Sequence, residues 1–166
     1  KGIFMKIFIA LGSQKFQMNR LLKEMDDCLV YPDTQQWEVF AQTGSSSYRP
    51  QRYAYTNYLS KEEYEKQISD ADLMIVHGGA GTIMSGLEQG KRIIVYPRKK
   101  CFHEHIDDHQ AEIAQVFQKR GMVFVCNGGN LKELISAAVE HNFQPYHPAK
   151  SIIPEILRTY LLENCK

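Results

Sequence analysis

Leu73-Met74-Ile75-Val76-His77-Gly78-Gly79-Ala80-Gly81-Thr82 is the stretch on which the fold of this chain turns. Four apolar residues predict a buried strand. Three glycines in four positions predict a tight turn, and Ile83 to Gln89 continues as a helical pattern that stops at Gly90. A strand feeding a glycine turn into a helix start lets the main chain come close to an anion. The first amides of such a helix have no internal partner, and its dipole adds favourable potential for negative charge. Glycine turns also serve tight packing, so the flanks must decide.

Outward from that turn the chain alternates strands and helices. Lys6 to Leu11 reads as a buried strand ending at Gly12-Ser13-Gln14, and Asn19 to Leu29 as a helix with Leu21, Leu22, Met25 and Leu29 on one face. Trp37 to Gln42 is a second strand, Gly44 to Tyr53 a polar loop, and Ala54 to Tyr58 a third strand. Ser60 with Glu63 forms a capping box opening a helix that runs to Asp70. Beyond the glycine turn, Ile93 to Tyr96 is a fifth strand, followed by a charged loop from Arg98 to Ile106 and a helix from Asp107 to Arg120. Met122 to Cys126 is a sixth strand, and Asn130, with Glu133 three residues on, caps the next helix. Residues 141 to 150 read as irregular, and a last helix runs from Ile152 towards Asn164 with Pro154 in its first turn.

Apolar strands alternating with helices imply an α/β fold: a Rossmann-like parallel sheet of about six strands with helices on both faces. Residues 1–148 form that domain and 149–166 a C-terminal helix. Such sheets bind ligands beyond the carboxyl ends of their strands. That edge gathers Gly12-Ser13-Gln14, Tyr58-Leu59, the His77–Thr82 turn and the loop after Pro97.

With 166 residues the chain is one domain. A chain of that length buries roughly 70% of its unfolded surface and needs no staples. A formal net charge of +1, with no basic run interleaved by aromatics, argues against nucleic acid as a partner. Cys28, Cys101, Cys126 and Cys165 are scattered and form no CxxC pair, as in a reduced cytoplasmic protein. No apolar run approaches the roughly 18 residues of a membrane span, and Lys1 to Met5 is too short for a signal peptide. Membrane contact is therefore expected to be peripheral or through a partner.

Several chemistries fit poorly. A dinucleotide fingerprint would need a third glycine where Met84 stands, and a Walker lysine is missing because Thr82 follows Gly81 directly. The cluster His103-Glu104-His105-Ile106-Asp107-Asp108-His109 nearly matches the HxHxDH pattern of two-metal hydrolases. Asp108 stands at its last histidine, however, and His109 comes one residue late, a slip of roughly 100° on a helix.

HGGAGT at His77–Thr82, GKRIIVYPR at Gly90–Arg98 and EHIDDHQ at Glu104–Gln110 together resemble the UDP-sugar glycosyltransferases of GT-B fold. FIALGSQ at Phe8–Gln14 and VFAQTGSSSY at Val39–Tyr48 extend the resemblance over nearly the whole chain. More narrowly, the chain is similar to the small subunit of two-component transferases. These are the exopolysaccharide and capsule β-1,4-glycosyltransferases and the subunit that completes UDP-GlcNAc transfer to a dolichol-linked acceptor. The resemblance implies an inverting, metal-independent hexosyltransferase half that binds UDP-galactose or UDP-N-acetylglucosamine, with no cofactor. It would work with a membrane-anchored acceptor-binding subunit at the cytoplasmic membrane. It places the nucleotide on Gly12, Ser13, Gln14, Tyr58, Leu59, His77, Gly78, Gly79, Ala80, Gly81, Thr82 and Ser85, with uracil near Tyr58-Leu59. It places the donor sugar on Glu104, His105, Asp107, Asp108 and Gln110.

Many relatives carry an acid three positions after the motif threonine, where it grips the ribose. This chain has Ser85 there, with Glu88 nearly a turn further on. An inverting transfer also needs a base for the acceptor hydroxyl. No residue stands out for that role; His77 and His105 are candidates, and in full-length relatives the base usually sits on the acceptor half. Ile153, Ile156, Leu157, Tyr160 and Leu161 make an apolar stripe on the last helix, for its own domain, a membrane partner or a second copy. Tyr48, Arg49, Arg52 and Tyr53 are open to an interface role. The competing readings are a non-catalytic nucleotide-binding or regulatory subunit and a metal-dependent hydrolase built on His103–His109.

Overall fold

The computed structural model describes residues 4–147 together with Glu155 and Arg158. The C-terminal helix expected over 149–166, with its apolar stripe, otherwise lies outside the described residues.

Strands β1 (Met5–Ala10), β2 (Trp37–Gln42), β3 (Ala54–Thr56), β4 (Leu73–Val76), β5 (Arg92–Val95) and β6 (Phe124–Val125) form one sheet, ordered β3-β2-β1-β4-β5-β6. Every neighbouring pair is parallel. Ala10, at the carboxyl end of β1, lies level with Gln42 and with Val76. The strand order reverses between β1 and β4, so the loops leaving these two strands diverge to opposite faces and open a crevice between them. Gly12 follows β1 and His77 follows β4, which puts both at that crevice.

Helices α1 (Asn19–Cys28), α2 (Lys61–Asp70), α3 (Ala80–Glu88), α4 (His109–Lys119) and α5 (Leu131–Glu140) cover the sheet. Alternation along β1 explains how. Ile7 and Ile9 join Leu21, Leu22 and Met25 of α1 and Leu131 and Ile135 of α5 in one core. Phe8 and Ala10 join Ile68 of α2, Ile83 and Leu87 of α3, and Ile113 and Phe117 of α4 in the other. A strand sends successive side chains to opposite faces, so a sheet covered on both sides needs apolar residues at every position. β4 meets that demand with all four residues buried.

The capping box at α2 forms as read: Ser60 Oγ accepts the Glu63 amide at 3.2 Å and Glu63 Oε2 accepts the Ser60 amide at 2.8 Å. Elsewhere boundaries differ. α3 begins at Ala80, three residues before the expected Ile83, and takes the second half of the glycine turn into its first turn. α4 begins at His109 rather than Asp107. β3 stops at Thr56. Asn130 precedes α5 but does not cap it with its side chain, whose Oδ1 instead lies 3.4 Å from Cys126 Sγ. Glu24 of α1 does the capping from a distance, accepting the Gly129 and Leu131 amides at 2.8 and 3.0 Å. A carboxylate at a helix start satisfies free donors and complements the dipole.

Tyr48 and Tyr53, open to an interface role by sequence, are part-buried against their own domain. Tyr48 donates to Asp26 Oδ2 at 2.7 Å and Tyr53 to the Leu22 carbonyl at 2.9 Å. Buried Asp26 also accepts the Gln51 and Arg52 amides, so this one carboxylate shapes the polar loop.

Candidate functional site

Gly79 is the N-cap of α3; its first turn has no side-chain cap and no acidic residue. The leading amides of the helix are thus left to whatever occupies the crevice. Gly81 is exposed, and a Cβ built on it would meet nothing within 4 Å. This side of the turn faces open space.

The other side is tightly packed around His77, which is 6% exposed. A Cβ at Gly12, where φ is +71°, would stand 2.6 Å from His77 Nε2, and one at Gly79 would stand 2.3 Å from Cε1. A Cβ at Gly78 would strike the Gln110 backbone oxygen at 2.6 Å. Those glycines are demanded by the imidazole and the Gln110 backbone beneath them, while Gly81 is free for a ligand. His77 Nε2 lies 3.3 Å from Thr82 Oγ1, and Nδ1 lies 3.3 Å from Gln110 Oε1 and 3.2 Å from the Gly79 nitrogen. Burial drives its pKa down to about 4, and the nearby Arg98 cation adds to that. A neutral imidazole packed under the turn supports it rather than supplying charge.

Arg98 organises the neighbouring loops. It is 1% exposed; Nη2 donates to the Leu11 carbonyl at 2.8 Å, and Nη1 to the carbonyls of Phe16 at 2.9 Å, Gln17 at 3.3 Å and Glu104 at 3.3 Å. One guanidinium therefore ties the segment after β1 to the loop after β5. Desolvation lowers its pKa, and its Nε is the one buried side-chain nitrogen or oxygen without a partner among the described residues. The sequence flags Arg98 only as the last residue of a motif; nothing local marks it as buried.

The expected nucleotide contacts fall on one edge. Ser13 and Gln14 are exposed after β1. Tyr58 is 52% exposed, and its hydroxyl sits 3.0 Å from Ser45 Oγ. Its carbonyl already accepts from Thr56 Oγ1, and the Leu59 amide donates to Gln42 Oε1, so these main-chain groups are engaged within the fold. Ser85 donates to the Gly81 carbonyl one turn back, at 2.9 Å.

The expected sugar contacts divide. Glu104 is buried: Arg20 holds it through two bonds of 3.1 and 2.8 Å, and the Lys99 amide adds a third at 3.1 Å. Arg20 is sandwiched by the Tyr96 and Phe102 rings, at 4.4 and 4.6 Å from their centroids. Such a carboxylate fixes the loop and has no oxygen idle for a hydroxyl. Gln110 is likewise buried under His77 and the Arg98 amide. Asp108 accepts the Lys100 amide at 2.9 Å and holds a short 3-10 turn, Lys100–Phe102. Asp107 accepts the His109 amide at 3.1 Å, as an N-terminal cap would, and also lies 2.9 Å from His105 Nδ1.

The hydrolase alternative loses its geometry here. His103 stands in a left-handed conformation at φ +57°, and among the described residues no group of three or more His, Cys, Asp or Glu is arranged to hold a metal ion.

Known proteins agree with this architecture. Residues 6–157 match the glycosyltransferase family 28 C-terminal domain. The chain belongs to that family. Among curated proteins it is 26% identical over 132 residues to the UDP-N-acetylglucosamine transferase subunit ALG13 of Homo sapiens, covering 72% of this chain and 11% of that protein. It is 34% identical over 77 residues to the subunit of the same name from Candida glabrata, covering 45% of this chain and 34% of that one. The chain thus spans only about a tenth of the human relative's length. The crystal structure of the glycotransferase of kitacinnamycin superposes with a TM-score of 0.61 at 19% identity, over 96% of this chain and 39% of that one. The solution structure of ALG13 gives 0.53 at 16% identity, covering 93% of this chain and 94% of that one. These likenesses show the fold: one Rossmann-like half of a GT-B glycosyltransferase.

Proposed function

We propose that this chain is the donor-binding subunit of a glycosyltransferase, taking a UDP-sugar and passing its hexose to a lipid-linked saccharide held by a membrane-anchored partner. The observation that carries this is the uncapped start of α3 at the switch point, with Gly81 facing open space. Oriented amides at Ala80 to Thr82 receive the diphosphate and, as the glycosidic bond breaks, the charge that develops on it; the Gly79 amide is already held by the His77 carbonyl at 2.9 Å. No metal or separate cofactor is needed for that task. The name that these relatives share, UDP-N-acetylglucosamine transferase subunit, favours N-acetylglucosamine over galactose. A polysaccharide or capsule context rests on the sequence motifs alone.

The exposed turn also supports a partner. A diphosphate on this shelf is covered on one side only, and transfer without hydrolysis requires water to be excluded. No described helix is long and apolar enough to cross a membrane; in this reading the membrane-anchored partner recruits the chain on the cytoplasmic side. Ser85 in place of an acidic ribose contact favours the second reading, a nucleotide-binding regulatory subunit.

Calorimetric titration with UDP, and with ADP as control, tests the site. Gly81→Glu is the sharper variant, because its side chain enters open space and an acid in the first turn suits the helix. The expected result is selective UDP binding by the wild type and none by Gly81→Glu, with thermal stability kept or raised. Equal binding by both proteins refutes the site.

A further inference from the structure

The diphosphate site at the start of α3 does not use one cluster, which was expected to meet the sugar. In the loop after β5, His105 Nδ1 lies 2.9 Å from Asp107 Oδ1. The Asp107 carboxylate is held in turn by the His109 amide at 3.1 Å, with His109 Nε2 at 3.7 Å. The Phe16 ring packs on the His105 imidazole at 5.4 Å between centroids, and the side chain is 14% exposed. Among the described residues His105 Nε2 has no hydrogen-bond partner, and Arg98 Nε is the one buried unpartnered side-chain nitrogen or oxygen; His105 Nε2 is therefore in contact with solvent. The Asp107 amide also faces Nδ1, at 3.4 Å, but the carboxylate is nearer and charged. That carboxylate fixes the proton on Nδ1 and leaves the Nε2 lone pair outward, the division of labour that makes an imidazole a base.

We propose that His105 is the general base of the transfer and that Asp107 is its positioning residue, both on this chain rather than on the partner. The inference rests on the donor-site reading above. Nε2 takes the proton of the acceptor hydroxyl as its oxygen bonds to the anomeric carbon. The bond from that carbon to the β-phosphate oxygen breaks, and its electron pair leaves with UDP onto the amides of α3. Asp107 stabilises the imidazolium formed. The other titratable and charged groups around the ring are Glu104 beside it, Arg98 in the same loop, the neutral His77 after β4, His109 behind Asp107, and Lys15, whose Nζ lies 5.9 Å from the centroid of the Phe16 ring.

The test uses the full chain as wild type, His105→Gln and Asp107→Asn. Three readouts are taken: UDP affinity, UDP release from UDP-N-acetylglucosamine with water as acceptor between about pH 5 and 9, and nitrogen NMR of the imidazoles. Affinity should stay within about twofold in both variants, while UDP release by His105→Gln falls about 100-fold or more. Asp107→Asn should slow release and move part of the ring proton from Nδ1 to Nε2 in the nitrogen spectrum, because the amide no longer fixes the tautomer. The wild-type spectrum should show His105 protonated at Nδ1. A wild type that binds UDP but releases it no faster than His105→Gln overturns the assignment, as does a proton on Nε2. An unchanged tautomer in Asp107→Asn removes Asp107 from its role. Failure of the wild type to bind UDP refutes the donor site itself, and the inference with it.

Discussion

The two loops that meet at the crevice are built in opposite ways. The β4–α3 turn is made of main chain: Gly78 and Gly79 pack on Gln110 and His77, Gly81 opens the first turn of α3 to the surface, and the turn's one large side chain, His77, is neutral and hidden beneath. The β5–α4 loop is made of side chains, with Arg98, Glu104, Asp107 and Asp108 bonded to groups up to 87 residues away in sequence. A main-chain site needs only glycines and a helix start, which are local. A side-chain site needs partners brought by the fold. The first suits an anion of fixed shape, and the second holds groups for proton transfer in one orientation.

The largest effect should break the side-chain loop. Arg98→Met leaves the Leu11 and Glu104 carbonyls, whose bonds are buried, and the part-buried Phe16 and Gln17 carbonyls without their donor. At roughly 1–3 kcal/mol for a buried group left unsatisfied, a loss of about 4 kcal/mol is expected, read in chemical denaturation. Wild-type stability in that variant would show that water replaces the guanidinium.

The hidden imidazole sets the next effect. His77 titrates near 4 folded and near 6.5 unfolded, so the unfolded chain binds the extra proton between those values. Stability should be whole above about pH 6.5 and fall towards pH 4, by about 3 kcal/mol from this group. His77→Gln should flatten that part of the profile, and an unchanged slope would place the proton elsewhere.

Two alanine variants sharpen the contrast within the turn itself. Gly12→Ala sets a Cβ 2.6 Å from His77 Nε2 at a positive φ and should cost about 2 kcal/mol. Gly81→Ala meets nothing and should gain up to about 1 kcal/mol from helix propensity. Equal thermal shifts in the two would erase the distinction between packing and ligand glycines. The smallest effect is Ser85→Asp, which restores an acid near the ribose and should tighten UDP by about tenfold through a charge-assisted bond. Weaker binding would mean that the ribose lies elsewhere.

Much of this was legible without coordinates. Hydrophobic runs at Phe8–Leu11 and Leu73–Val76 and the Ser60–Glu63 box are local signals, and each element stands where its pattern places it. Boundaries slipped where tertiary contacts outweighed local chemistry. Asn130 has the residue type of a cap, yet Glu24, more than 100 positions earlier, takes that role because α1 packs beside α5. The glycine turn could be read as an anion site from its residues, but its division between packing and open glycines could not, since that depends on what lies under each Cα.

By itself the sequence determined the alternation of strand and helix, the parallel sheet and the family, because periodicity and glycine placement act within a few residues. Only the tertiary structure decided which polar side chains face a ligand and which hold the loops. Glu104 and Gln110 sit in the same motif as His105 and Asp107, yet the first two are consumed by Arg20, Arg98 and His77, while the other pair leaves a nitrogen open. Hydrogen-bond demand is settled between segments distant in the chain, and no local pattern records which partner arrives.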